Sequence, residues 1–522
     1  MMINCIKIIN IYFKILLRFV SGQRLPNWKK INLSKNPEKS IKSKNENILI
    51  AVSAGGLQSM LVFESMIGSV LKYEGYNVDY LLCDEILPAC VMASIDNIDE
   101  KNFAAKGSKE ICSFCFVRAN RYLKSSGGNV LKFSDFITDE ELRSIKDKDY
   151  SNFDFSSIRK LVNEGVNVGE HANAGAIRYY LNSDYENLDN SKNILEKYLK
   201  SAIITQRVTE RILKEKKYKE VFLNHGIYVP QGVIMDCARK LKVNCSAWTT
   251  GYRRNSIIVT RNDSLHRQLI YEDNSTWEQM KFDKKNEKKI DEYLKSRWVG
   301  DTDWEFYSKN PKFNGKEYLK ERNLDLSKPI VGLATNVMWD AQISFPNKVF
   351  LDMLEWLFFT IDFFTKNDHL QLVIRIHPAE LNISKKSSQR VFDEVKKRYK
   401  NLPKNILLIK PDDDISTYSV FEKCNCVITY GSKIAIETAA VNIPTIVCGE
   451  NFVKNKNVTI DIDSKEDYLK VLKEIPLPKN IIKDKILRAK KYAYHFWFRK
   501  MMKVESIYED KNIYKDLSIN IK

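Results

Sequence analysis

Two stretches of the chain alternate short β-branched apolar runs with longer amphipathic ones, and most of the apolar runs stop abruptly at polar residues or glycine. In the first stretch, residues 47–53 predict a strand and Ala54-Gly55-Gly56 a tight turn. A helix follows over 57–73, closed by Gly75, and 78–83 is the next strand. Further on, 221–223 run into Asn224-His225-Gly226. A helix then opens at Gln231-Gly232, and 244–248 form a strand before Gly251-Tyr252-Arg253-Arg254. In the second stretch, 329–334 end in Thr335-Asn336, and 370–376 run directly into His377-Pro378. The run ending at Tyr430 stops at Gly431-Ser432, a short helical pattern continues to Ala440, and 445–448 end in Gly449. Strand, helix and strand in this rhythm predict an α/β protein with two Rossmann-like parallel sheets.

The flanking segments differ in pattern. Residues 1–20 are apolar but broken by Asn4, Lys7, Asn10, Lys14 and Arg18, which fall on one side at helical spacing. A spanning helix would not keep charges in its middle, and a signal peptide would place them ahead of the apolar run. The expectation is an amphipathic, membrane-associating helix, followed by a Lys-, Asn- and Ser-rich linker over 21–46. The N-terminal Rossmann-like domain is expected over 47–270, a charged helical linker over 271–326, and the C-terminal Rossmann-like domain over 327–479. A terminal helix and tail, with Tyr492, Phe496 and Trp497 on a basic background, take 480–522.

The ends of the predicted strands carry the chemistry. In an open parallel sheet, ligands bind at the carboxyl ends of the strands. Asn336, His377 and Ser432 all fall there. Pro378 disfavours helical geometry at His377 and holds it on an extended strand end. Gly431 permits close backbone approach, Ser432 can cap the helix or bond a ligand, and Glu437 can point to the same crevice one and a half turns on. The free N–H groups of that turn make a seat for phosphate.

This ordered set resembles the capsule polysaccharide synthesis glycosyltransferases: strand-His-Pro, an acidic loop with Ser416, then Gly-Ser-x-x-x-x-Glu and a Pro-containing strand ending in Gly. That group includes the Kdo transferases of capsule linkers. More loosely, the set is similar to bacterial sialyltransferases of GT-B fold, which use a His-Pro motif and a downstream Ser motif. The resemblance spans roughly residues 336–451. It implies a GT-B-like fold, with two Rossmann-like domains facing a cleft. It implies that Asn336, His377, Pro378, Ser416, Gly431, Ser432 and Lys433 lie at a nucleotide-sugar site, with Glu437 on a ribose or sugar hydroxyl. Lys433 stands where the family often has a second Ser or Thr, so the donor, a CMP- or UDP-sugar, stays open. GT-B enzymes commonly place the base for the acceptor hydroxyl on the N-terminal domain. His225 is preferred there, ahead of Glu170 and Asp84.

Composition narrows the partners. The net charge of +18 is spread over many lysines and suits anionic partners: a nucleotide-sugar, an acidic glycan or lipid-linked acceptor, and the anionic inner face of the cell membrane. No zinc-finger spacing or ribonucleoprotein motif speaks for nucleic acid. Of ten cysteines, Cys83, Cys90, Cys112 and Cys115 cluster in sequence, and Cys112-x-x-Cys115 has metal-ligand spacing. A structural zinc or iron–sulfur cluster is one expectation and buried free thiols the other. No cofactor is expected in the chemistry itself. The expected protein is a cytoplasmic glycosyltransferase, peripheral on the membrane and independent of metal at its reaction centre. The alternatives are a nucleotide-sugar epimerase of the same architecture and a non-catalytic membrane-bound assembly protein.

Overall fold

A computed structural model of the protein describes residues 32–33, 43–52, 55–299, 303, 310–340, 349–381, 386–478, 483–504 and 518–519. The expected amphipathic helix over 1–20 lies outside them. Among the described residues, no helix is long and apolar enough to cross a membrane.

The first sheet is built from β1 (Asn47–Val52), β2 (Asn77–Leu82), β3 (Asn129–Lys132), β4 (Tyr218–Asn224), β5 (Asn244–Thr250) and β6 (Ser256–Arg261). Helices α1 (Gln58–Tyr73), α2 (Lys109–Ser125), α3 (Val168–Tyr180), α4 (Ser191–Glu215), α5 (Gln231–Lys240) and α6 (Leu265–Ile270) connect or follow them. Strand β1 shows why the run folds as it does. Leu49 and Ala51 enter one core, with β4 and α4, while Ile48, Ile50 and Val52 enter another, with α1 and α2. A strand covered by helices on both faces needs apolar residues at every position.

Helix α7 (Lys284–Val299) leads to the second sheet: β7 (Ile330–Ala334), β8 (Gln371–Arg375), β9 (Ile406–Ile409), β10 (Cys426–Thr429), β11 (Thr445–Val447) and β12 (Ile460–Asp461). Helix α8 (Met353–Lys366) precedes β8, and α9 (Ile434–Ala440) joins β10 to β11. The spatial order is β9-β8-β7-β10-β11-β12, all parallel. The chain therefore builds outward from β7 in one direction and then reverses, leaving the switch point between β7 and β10.

The first sheet repeats the plan with its switch point between β1 and β4, but β6 runs antiparallel. Its edge is completed by β13 (Met502–Lys503), which pairs antiparallel with β6. Before that, α10 (Ile486–Tyr494) packs on α9 of the second sheet. A third core lies where α7, α9 and α10 meet, around Trp277, Tyr293, Tyr492, Phe496 and Trp497. A short parallel pairing also joins Asn32–Leu33 to Ser518–Ile519.

Loops from the carboxyl ends of both sheets touch. Val337, Trp339 and Ala379 of the second domain share a core with α3. Ser183 Oγ donates to Gln389 Oε1 at 2.8 Å, and Ser388 Oγ donates to the Tyr180 carbonyl at 2.6 Å. Two Rossmann-like domains thus face each other across a crevice, which is the GT-B-like arrangement.

Candidate active site

On the second domain, the switch point brings Asn336 beside Gly431-Ser432 at the ends of adjacent strands. His377 enters from β8 with extended backbone, φ −64° and ψ 124°, as its following proline demands. Pro378 opens a single 3-10 turn. The His377 N–H donates to Thr335 Oγ1 at 3.0 Å, and the Ala379 N–H donates to His377 Nδ1 at 3.1 Å. An accepting Nδ1 leaves the proton on Nε2 in the neutral ring. Burial, then Lys433 and Arg375, push His377 down to about 3, so neutral pH finds it as an N–H donor without charge. Lys433 lies 4.2 Å from the ring centroid of Tyr252, which follows β5 of the other domain.

Two expectations for this wall change. Lys433, not Ser432, occupies the cap position of α9, and the Ile434 N–H reaches Ser432 Oγ only at 3.4 Å. With seven residues, α9 is also a short dipole, so the side chains of His377 and Lys433 carry more of any anion binding than the helix end does. Glu437 is engaged inside its own domain. Its Oε1 accepts from Arg297 at 2.7–2.9 Å, both side chains buried, and its Oε2 accepts from the half-buried Tyr418 at 2.5 Å. Arg297 also pairs with Asp303. Burial opposes the guanidinium charge, but Glu437, Tyr418 and Asp303 outweigh it and hold Arg297 above its ordinary range. The ribose contact expected of Glu437 would have to share a carboxylate already bonded on both oxygens.

Gly431 is informative for what does not surround it. A Cβ there would meet only the Glu450 carbonyl, at 3.6 Å, an ordinary contact. Gly449, in contrast, is pressed against Tyr430, with a carbonyl 2.8 Å from where its Cβ would stand. The packing of the protein explains Gly449 but does not require Gly431. Asn336 Oδ1 and Ser416 Oγ are buried without a hydrogen-bond partner, and such atoms call for an explanation.

On the first domain, the switch point presents His225. Its φ of +66° lies in the left-handed region, unusual for a residue with a side chain. Its N–H donates to the Trp248 carbonyl at 2.9 Å, which fixes the turn, while Nδ1 has no hydrogen-bond partner. The ring stands 5.8 Å from Tyr228 and 6.4 Å from His266 of α6, centroid to centroid. Burial, then His266 and Arg178, push His225 down to about 3. Arg178 donates to Tyr228 Oη at 3.3 Å and stacks 4.9 Å over its ring and 5.8 Å over Trp339 of the opposite domain. Burial disfavours its charge, but Tyr228 and Asp340 keep it above the ordinary range. Burial lowers His266 as well, with Asp340 acting against the shift. Asp340, from the loop after β7, therefore faces Arg178 and His266 across the domain boundary.

The loop that presents His225 is stapled beneath. His171 Nδ1 donates to the Ile227 carbonyl at 2.7 Å and Nε2 donates to Asp236 at 3.0 Å, so both nitrogens carry protons and the ring is charged. The other two candidate bases lie elsewhere. Both Asp84 oxygens accept from Ser134, toward β3 and away from the switch point. Glu170 sits in the first turn of α3, where its charge acts on His171. Arg253 and Arg254, which follow β5, bind the Trp497 and Asp303 carbonyls instead of lining the crevice. Arg178 and His266 had no sequence signal beyond a lone arginine in a small-residue helix.

The four clustered cysteines do meet. Cys83, Cys90, Cys112 and Cys115 line one cavity with Glu85 and Pro230, at the carboxyl ends of β1 and β2. All are free thiols, pushed up by burial and, except for Cys90, by the neighbouring cysteines. Among the described residues, no group of three or more His, Cys, Asp or Glu is arranged as it stands to hold a metal ion.

No family model matches the chain, and no curated protein matches it in sequence. Solved structures are similar to it in shape. The beta Kdo 2,4 transferase of Thermosulfurimonas dismutans KpsC matches with 14% identity over 53% of this chain and 79% of its own, at a TM-score of 0.33. The S. aureus MnaA–UDP co-structure matches with 10% identity over 86% of this chain and 94% of its own, at 0.28. Sucrose-phosphate synthase from Thermosynechococcus elongatus matches with 10% identity over 87% and 95%, at 0.29. At these scores the likeness is reported as similarity alone, and the assignment of the fold rests on the two sheets.

Proposed function

We propose that the protein is a glycosyltransferase that moves a sugar from a CMP- or UDP-activated donor to a glycan or lipid-linked acceptor in surface polysaccharide synthesis. One observation carries this reading: the polar strand-end loops of two Rossmann-like sheets meet across the domain boundary, with Lys433 over Tyr252 and Arg178 over Trp339, and with His377 near Lys433 on one side and His225 near His266 and Arg178 on the other. The donor phosphate sits against the second wall. There His377 donates from Nε2, Lys433 supplies charge, and Asn336, Gly431 and Ser432 give a close polar floor. As the bond to the sugar breaks, these groups stabilise the departing phosphate, the role a metal plays in other transferases.

His225 takes the proton of the acceptor hydroxyl through Nδ1. Its basicity is low because burial, then His266 and Arg178, disfavour a positive charge there. A bound anion neutralises that field and moves the imidazole upward. The net charge of +18 supports a seat on the anionic inner membrane face, where a lipid-linked acceptor would be met.

The test is a thermal-shift panel of CMP, UDP and GDP compounds on the full chain. A ligand that binds only the folded state raises the melting temperature, so one nucleotide class is expected to stand out. Incubation with the matching sugar nucleotide then separates the chemistries: a transferase needs an added acceptor, whereas an epimerase converts the sugar nucleotide alone. A panel with no shift at all sinks both and leaves the assembly protein.

A further inference from the structure

Helices α7 and α10 carry the chain between the domains, and the charges on α7 are sorted by face. Every exposed position of α7 is charged: Lys284, Lys285, Lys288, Lys289, Glu292 and Lys295. Ile290, Tyr293 and Leu294, on the opposite face, enter the core. The helix's other carboxylates do not dilute the outer arc. Glu287 and Asp291 turn toward α10, where Lys490 meets them at 3.1 and 2.9 Å. Among the described residues, only Lys288 of the five outer lysines meets a carboxylate, the exposed Glu292 at 3.9 Å. A helix sorted this way keeps an unneutralised basic arc turned to solvent and attracts an anionic partner.

The neighbouring helix decides which anion fits. Leu487 of α10 is 58% exposed, and Tyr494 lies two turns further along the same face. Tyr494 stands 5.8 Å from Phe282 and 5.2 Å from Phe498 between ring centroids. Lys289 lies over Phe498 at 4.4 Å, so the apolar strip and the basic arc form one continuous surface. Arg253 lies at 4.4 Å over the same ring. These rings are half-buried and covered by cations or by one another. Stacking of nucleic-acid bases asks for open ring faces. An interfacial surface asks instead for lysines around a leucine and aromatic rings. We propose that the outer surface of α7 and α10 docks the protein on an anionic lipid bilayer, a reading that rests on the membrane seat proposed above. The lysines meet headgroup phosphates, and Leu487 enters the boundary with the acyl chains. Both helices belong to the core that joins the domains, so the bilayer holds that joint and not one domain alone.

Sedimentation of the full chain with vesicles at moderate salt tests this, using phosphatidylcholine alone or mixed with phosphatidylglycerol. The wild type is expected to partition onto the anionic vesicles and to leave the neutral ones. Lys284→Gln/Lys285→Gln/Lys295→Gln should weaken that partition by roughly 100-fold, about fivefold for each lysine near the surface. Leu487→Asp, at an exposed position, should weaken it as well with an unchanged melting temperature. Lys397→Gln/Lys400→Gln/Lys404→Gln removes the same charge from exposed positions of the second domain and should leave partition as it was. Wild-type protein left in the supernatant overturns the proposal, as does equal partition onto neutral vesicles. Binding that survives the α7 substitutions, or that falls equally in both triple variants, overturns it too. So does preference for single-stranded RNA over the anionic vesicles. Nucleotide thermal shifts on the same samples keep the two readings apart. A protein that shifts with nucleotide and ignores vesicles loses this surface alone, and one that docks without any shift loses the transferase alone.

Discussion

The two sheets share one winding plan, yet they end differently. The second is wholly parallel, and the residues at its switch point, Asn336, Gly431 and Ser432, are small or polar, with Asn336 Oδ1 unbonded and room at Gly431. The first is closed by an antiparallel strand and by the tail, and its switch point holds a strained, half-buried histidine beside a second histidine and an arginine. On the function proposed above, the wall of the second sheet would receive a ligand through close approach and hydrogen bonds, and the wall of the first would act on what approaches it. Division of labour between two copies of one architecture is thus written in strand-end residues, while the strands themselves stay interchangeable apolar runs.

The largest effect is expected on the reacting wall. His225→Ala should lower turnover by about 10²–10⁴-fold while nucleotide affinity stays near the wild type. His377→Ala should do the reverse, weakening nucleotide binding by about 1.5–3 kcal/mol. Steady-state kinetics together with calorimetric titration read both, and equal effects of the two substitutions on affinity would erase the contrast between the walls.

Glu437 sharpens the comparison next. Its carboxylate closes a buried pair with Arg297, so Glu437→Ala should destabilise the fold by about 3–5 kcal/mol. A denaturant midpoint at the wild-type value would return Glu437 to the ligand.

Acid–base behaviour separates the halves less steeply. Burial raises Glu64 in the first domain to about 8 and Glu380 in the second to about 7. From about pH 4.5 up to these values, the folded protein keeps protons that the unfolded chain gives up. Stability should therefore fall as pH rises through that window, by an amount on the order of 5–10 kcal/mol in total. Glu64→Gln should flatten the upper part of the slope in urea titrations at several pH values, and an unchanged slope removes Glu64 from the account.

The smallest effect on the fold belongs to Gly431→Ala. The added methyl has room, so stability should move by less than about 1 kcal/mol, while nucleotide binding weakens. Retained affinity would mean that no ligand lies against that turn.

Much of the second sheet was legible. Runs 329–334 and 370–376 were found as Ile330–Ala334 and Gln371–Arg375, because fully buried parallel strands are nearly unbroken apolar runs. In the first sheet, 47–53 became Asn47–Val52 for the same reason, and the helix expected over 57–73, bounded by the glycine turn and Gly75, became Gln58–Tyr73. Ser256–Arg261 was not read as a strand although Ile257-Ile258-Val259-Thr260 is a β-branched run, and the edge strand Met502–Lys503 draws its identity from its neighbour and not from its own pattern. The site divides the same way. Gly431-Ser432 and His377-Pro378 announce themselves through local backbone chemistry. His266, Arg178 and Asp340 gain their meaning only when two domains meet, and Glu437 loses its apparent freedom because Arg297 arrives from 140 residues away.

The return of the tail has a kinematic consequence. The chain passes between the domains once through α7 and again through α10 and β13, and both passages share the core around Trp277, Tyr293 and Trp497. Two bodies joined at one point can swivel; joined along two adjacent strips, they keep a single axis of rotation. Any rotation between the domains would therefore follow one arc, and on the function proposed above it would return His225 to the same bearing on a donor beside His377 and Lys433.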